Sequence, residues 1–210
     1  MALTNNNNFS MVKYFALALL GVFLFSCNDE SKVEKEIEKI PINVEIIRFD
    51  KEFAEATPET LPKLKAEFPA FFPEQYSDNI WVEKLTDTLQ KQLESEVLKA
   101  FPNDEALEEV LVPLFQHIKY YFPKFTTPVV VTTTSDVDYR NKVILADSML
   151  VIGLDNYLGA EHRFYEGIDK YISKEMKPSQ IGPDIAEAYA RQYIKPPNKA
   201  SFLGQIIYFG

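Results

Sequence analysis

The apolar residues of this chain are arranged in three ways. From residue 14 to 25 they run unbroken as YFALALLGVFLF, directly behind Lys13. From residue 41 to 128 they recur at short intervals between proline punctuation. Beyond residue 128 they gather into β-branched runs. In the middle region Ile42, Val44 and Ile46 alternate with Asn43 and Glu45, the period of a half-buried strand. The phase slips at Ile47, which predicts a bulge or a strand end. Asp50 is placed to cap a short helix over 51–56. Thr57 and Pro58 then read as an N-cap and first helical position, opening a helix toward Phe68. Pro69 and Pro73 bracket a connection that must pack Phe68, Phe71 and Phe72 against something. From Thr86 a long helix carries Leu89, Leu93, Val97 and Phe101 on one face until Pro102 ends it. Asn103 can cap a second helix whose apolar face is Leu107, Val110, Leu111, Leu114, Ile118 and Phe122. Pro113 lies inside that pattern and predicts a kink or a split.

The pattern then changes to strand. PVVVTTT is β-branched, residues 136–141 read as a turn, and KVILADSMLVIGL is two apolar runs joined at 146–148. Three consecutive strands predict an antiparallel meander. Helices follow over roughly 164–176, 183–194 and from 201 onward. The last is still apolar at Gly210, so the chain is expected to be a truncated piece of a longer protein. The fold expected is one α+β domain, mainly helical, with a small antiparallel sheet over 129–154 and the 42–49 strand added to it.

The unbroken run decides location. As a helix it spans only about 18 Å at ~1.5 Å per residue, short of the ~30 Å hydrocarbon layer. A basic start, an apolar core and a small residue before the processing point make a signal peptide. Leu24-Phe25-Ser26-Cys27 resembles the bacterial lipoprotein signal, which is cleaved before the cysteine and acylated on it. Cys27 is therefore the expected lipidation site, a palmitate-type anchor, with residues 1–26 as signal peptide and Met11 an equally good start. Residues 27–40 read as the lipidated cysteine and a charged tether, solvated or briefly helical, that lifts the 41–210 domain off the membrane.

Composition narrows the rest. Among 210 residues, 46% hydrophobic with 16 Phe and 11 Tyr, there is material for one packed core. The net charge is −9, and removing the leader takes away Lys13 and no acid. Such a surface disfavours nucleic acid and gives no attraction to anionic lipid, so the anchor must do the membrane work. Cys27 is the only cysteine, which rules out an internal disulfide.

HIKYYFPKFTTP (117–128), ADSMLVIGLDNYLGAEHRFY (146–165) and FLGQIIYFG (202–210), together with the lipoprotein signal, resemble the gliding-motility lipoprotein GldB family of Bacteroidetes. The resemblance covers nearly the whole chain beyond the leader. It implies a cell-envelope lipoprotein that supports surface gliding, a process tied to the type IX secretion apparatus, with no assigned enzymatic activity. Asp29 and Glu30 resemble short signals for surface export; an outer-membrane anchor facing the periplasm is the default expectation.

That family is distantly similar to predicted zinc metallopeptidases bearing H-E-x-x-H, in which two histidines one turn apart chelate zinc and the glutamate serves as base. The corresponding helix here, 183–194, has Glu187 but Ala186 and Ala190 where the histidines belong. With only two histidines in the chain, no three-histidine site is possible. His162 stands near Asp155, Glu161 and Glu166 and could ligate a metal or act as a base. The favoured reading is a polar residue at a connection, its ring bonding a nearby backbone group. Asp155-Asn156-Tyr157-Leu158-Gly159 is a tight exit from a strand, and Asp155, Tyr157, His162 and Tyr165 form the candidate ligand or partner surface. There is no phosphate loop, no G-x-S-x-G and no basic groove. The function expected is a non-enzymatic, lipid-anchored envelope component without metal or cofactor, meeting membrane and envelope proteins. Its alternatives are a zinc-peptidase-like enzyme or pseudo-enzyme, and a glycan-binding lipoprotein that stacks sugars on Tyr157 and Tyr165.

Overall fold

Four short strands order the molecule. In the computed structural model, which describes residues 30–193, they are β1 (Glu45–Ile47), β2 (Val129–Thr133), β3 (Val143–Ala146) and β4 (Met149–Gly153). They lie in the order β1-β2-β4-β3. β1 pairs β2 in parallel, β2 pairs β4 in parallel, and β3 pairs β4 antiparallel. The sheet is thus mixed, and the expected all-antiparallel meander is corrected. Only β3–β4 is a hairpin, closed by Asp147 and Ser148 with Asp147 at φ 48°, the left-handed conformation a two-residue turn asks for. β4 rather than β3 lies beside β2 because Leu150 and Ile152 are fully buried whereas Ile144 of β3 is exposed, and the more buried, apolar strand sits inside the sheet while the more exposed one takes the edge.

The helices are α1 (Glu30–Ile37), α2 (Phe49–Glu55), α3 (Leu61–Glu67), α4 (Asp78–Thr86), α5 (Thr88–Ala100), α6 (Glu105–Tyr121), α7 (Lys170–Ser173) and α8 (Ile181–Tyr193). Successive β2 side chains point to opposite faces, and two cores follow. Val130 joins Leu150 and Ile152 against α5, α6 and α8, through Val97, Leu107, Leu111, Phe115, Ile185 and Tyr189. Val131 joins Phe49, Phe53, Leu61, Leu64, Phe72 and Leu85. The aromatic connection packs as its composition demands, with Phe71 stacked on Phe49 at 4.5 Å and Phe68 at 5.1 Å from the same ring.

Several boundaries differ from expectation. The helix read from Thr86 is α5, which starts at Thr88; Asp87 separates it from α4, and its side chain accepts from the Gln90 N–H and caps α5. Leu93, Val97 and Phe101 are buried as predicted, but Leu89 is 61% exposed. α6 is one helix despite Pro113; Pro113 and Glu109 lie on its exposed side, so the carbonyl that loses its donor is left to water. Asp104, not Asn103, precedes α6. Asp50 does not cap α2; it is buried inside its first turn, where the Arg48 guanidinium grips both of its oxygens at 2.8 and 2.7 Å. Thr60 rather than Thr57 precedes α3. The span 164–176 holds only a short turn at Arg163–Tyr165 and α7.

Residues 30–37 do not stand free as a tether. Ile37 is buried, Gln116 donates to the Glu38 and Ile40 carbonyls at 3.0 Å, and His117 Nε2 lies 3.2 Å from Glu34. α1 is therefore docked on α6. The signal segment, Cys27 and the expected helix from 201 lie outside the described residues.

Candidate functional site

The polar residues of the fold converge where the parallel strands end. β4 stops at Gly153, whose missing side chain leaves room that a Cβ would take within 2.9 Å of Asn156 Nδ2 and Ser135 Oγ. A single 3-10 turn, Leu154–Asn156, then carries Asp155 beneath the segment that follows β2. Asp155 is fully buried. Its carboxylate accepts from the Ser135 N–H at 3.0 Å, the Ser135 hydroxyl at 3.1 Å and the Val137 N–H at 2.6 Å. Burial pushes its carboxyl above the usual range, while the bonds from Val137 and Ser135 pull it back.

Those bonds hold loop 135–137 in an uncommon shape. Asp136 and Val137 adopt φ 57° and 59°, and a β-branched residue in the left-handed region is a true outlier. The twist turns the Asp136 side chain outward, where Lys84 Nζ meets it at 2.7 Å. Asn156 completes the knot, donating to Ser135 Oγ at 2.9 Å and the Gly153 carbonyl at 3.2 Å.

Loop 135–137 forms one wall of an open groove of about 570 Å³, with α4, α5 and Phe164 as the others. Ile80, Leu89, Leu93, Val137 and Phe164 supply its apolar lining, and Glu83, Asp87 and Asp136 its acids. Lys84, the cation in the lining, is committed to Asp136, so the groove is apolar with an acidic rim. Gln90 is fixed behind it by donating to Glu94 at 2.9 Å and Thr134 at 3.2 Å.

The four candidate residues do not make one exposed surface. Asp155 and Tyr157 are wholly buried and Tyr165 nearly so. The Tyr165 hydroxyl donates to the Asp155 carbonyl at 2.7 Å and accepts from the Leu158 N–H at 2.8 Å, so Asp155 and Tyr165 belong to one scaffold. Tyr157 points elsewhere and donates to Asp184 of α8 at 2.8 Å, with Lys142 beside both. Burial pushes both phenols up, and for Tyr157 the charge of Asp184 adds to it. Neither ring is open for a sugar to stack on. His162 keeps its ring against Phe164, accepts from the Phe164 N–H at 3.4 Å and stands 3.6 Å from Glu96, the backbone-bonding arrangement favoured from sequence. Glu187 faces solvent and pairs with Arg191 one turn on. Among the described residues no three His, Cys, Asp or Glu side chains are grouped to hold a metal ion.

Sequence reasoning missed Leu89, Ile80, Lys84 and Val137 as groove residues. Leu89 carried the misleading signal of a core stripe. The signal that could have exposed loop 135–137 was Val137 itself, a β-branched residue inside a turn.

A family model described as gliding motility protein GldB matches residues 30–210. The chain belongs to that family, and its process is gliding motility. No curated protein and no solved structure matches it. No helix among the described residues is long and apolar enough to cross a membrane.

Proposed function

We propose that this gliding motility protein is a non-enzymatic assembly or support factor, held at the membrane by lipid on Cys27, that docks an envelope protein in the groove beside loop 135–137. The observation that carries the reading is the groove: an apolar floor with Leu89 61% exposed, rimmed by Glu83 and Asp87. An acidic rim around an apolar floor suits a segment that offers an aliphatic or aromatic anchor flanked by basic residues. The partner belongs to the gliding machinery or the linked type IX secretion apparatus, and the anchor sits in the outer membrane facing the periplasm.

The absence of H-E-x-x-H from α8 supports a non-enzymatic role. Ala186 and Ala190 offer no ligand, and Glu187 is engaged by Arg191. Cysteine protection tests the docking site, since Cys27 is the only native cysteine. Leu89→Cys should react with a bulky maleimide on the purified protein and be protected in envelopes of gliding cells, while Tyr171→Cys, at a 73% exposed position, reacts in both. Equal reactivity of Leu89→Cys in the two settings would overturn the assignment.

A further inference from the structure

The chain has 31 acidic residues against 22 Lys and Arg, yet no Asp or Glu occurs from Val110 to Ser135. Where this stretch reaches the end of α6 it presents aromatic rings. Tyr121 is 61% exposed, and Tyr193, at the end of α8, is 40% exposed. Tyr120 stands edge-on to Tyr121 at 5.1 Å, and Tyr193 stacks on Phe122 at 4.7 Å. Lys124, also exposed, follows immediately.

This patch sits beside the chain's membrane end. Gln116 and His117 make the contacts that hold α1, and Tyr120 and Tyr121 lie one turn further along the same side of α6. α1 begins at Glu30, three residues after Cys27, so at most about 11 Å of chain separates them at ~3.3–3.6 Å per residue. An acyl group on Cys27 therefore brings α1, and with it this end of α6, to the headgroup layer.

We propose that the aromatic end of α6 and α8, formed by Tyr120, Tyr121, Phe122, Tyr193 and Lys124, rests in the lipid headgroup layer and fixes how the anchored domain stands on the bilayer. The inference depends on the lipid-anchor reading. Tyrosine suits that layer because its ring is apolar and its hydroxyl stays hydrated, and Lys124 can lay its stem along the surface with its amine in water. The nearest charges are close to balance: α1 carries Glu30, Glu34 and Glu36 against Lys32 and Lys35, and Glu38 and Lys39 follow it. The acidic remainder of the domain is disfavoured next to anionic lipid, so one orientation is selected. That orientation leaves the groove at the opposite, carboxyl end of β2 turned away from the membrane.

The test uses the full chain from Cys27 onward, its thiol coupled to a maleimide lipid in phosphatidylcholine vesicles with or without brominated acyl chains. Tyr121→Trp and Leu89→Trp are each compared with the parent, whose only tryptophan is Trp81. The added emission of Tyr121→Trp should be blue-shifted on vesicles and lost with brominated lipid, while that of Leu89→Trp is unchanged. An unquenched Tyr121→Trp, or equal quenching at both positions, would overturn the proposal. Because the coupling supplies the tether, that outcome counts against the face alone. Failure of the anchor reading would appear separately, as an unacylated Cys27 in cells.

Discussion

Asp155 Oδ2 lies 2.6 Å from the backbone nitrogen of Val137, and this one bond ties the end of β4 to a left-handed β-branched residue in the wall of the groove. Asp155→Asn keeps the shape but replaces one acceptor oxygen with a donor facing backbone N–H groups. The expected loss is about 1–3 kcal/mol, the cost of leaving a buried polar group unsatisfied, read from denaturant unfolding. A change under the experimental error would contradict the role given to the carboxylate.

The same residue predicts a reversed pH dependence. An acid whose folded pKa is raised binds its proton more readily in the folded state, so its contribution is most favourable at low pH. It declines as pH rises from the ordinary carboxylate range through the raised folded value, because burial outweighs the bonds from Val137 and Ser135. The stability difference between the parent and Asp155→Asn should therefore shrink as pH rises through that window. A difference that widens would place the folded pKa below the usual range instead.

Val137 holds its strained conformation at a cost of about 1–2 kcal/mol, the usual penalty for an L-residue in the left-handed region. Val137→Asn, which tolerates that region, should raise stability by about 1 kcal/mol on the same scale. Thermal unfolding checks the sign, and a lower midpoint would mean that the valine's packing outweighs its strain.

Arg48 and Asp50 form a buried pair that also reaches the Phe101 carbonyl at 2.9 Å and Asp104 at 3.2 Å, stapling α2 to the turn before α6. Arg48→Met strands the Asp50 carboxylate, which also accepts from Thr132, and should cost about 3–5 kcal/mol. Arg48→Met with Asp50→Leu should recover much of that loss. A double variant as unstable as the single one would show that the pair is more than self-compensation.

How far the sequence predicted this arrangement depends on how local each decision was. The β3–β4 hairpin was legible because its strands and its turn at Asp147 lie within a few residues. The parallel partnership of β2 with β4 was not, because it depends on which of β3 and β4 is the more buried. Leu89 fits the stripe of Leu93 and Val97, but it stands in the first turn of α5, two residues after the Asp87 cap, where the open groove rather than another element faces it. Asp155 read as part of a tight exit from a strand. Its burial depends on donors at Ser135 and Val137, on the far side of a hairpin, which no local window contains. α1 looked like a tether because its charges dominate; buried Ile37 and the contacts of Gln116 and His117 hold it on α6.

The docking claim is tested most directly by complementation of gliding. In cells lacking the protein, Leu89→Glu should be produced, anchored and folded, yet fail to restore spreading, because it places a carboxylate on the apolar floor between Glu83 and Asp87. Tyr171→Glu, at an exposed position away from the groove lining, should restore it fully. Full gliding with Leu89→Glu would contradict the account, since no partner could then depend on that groove.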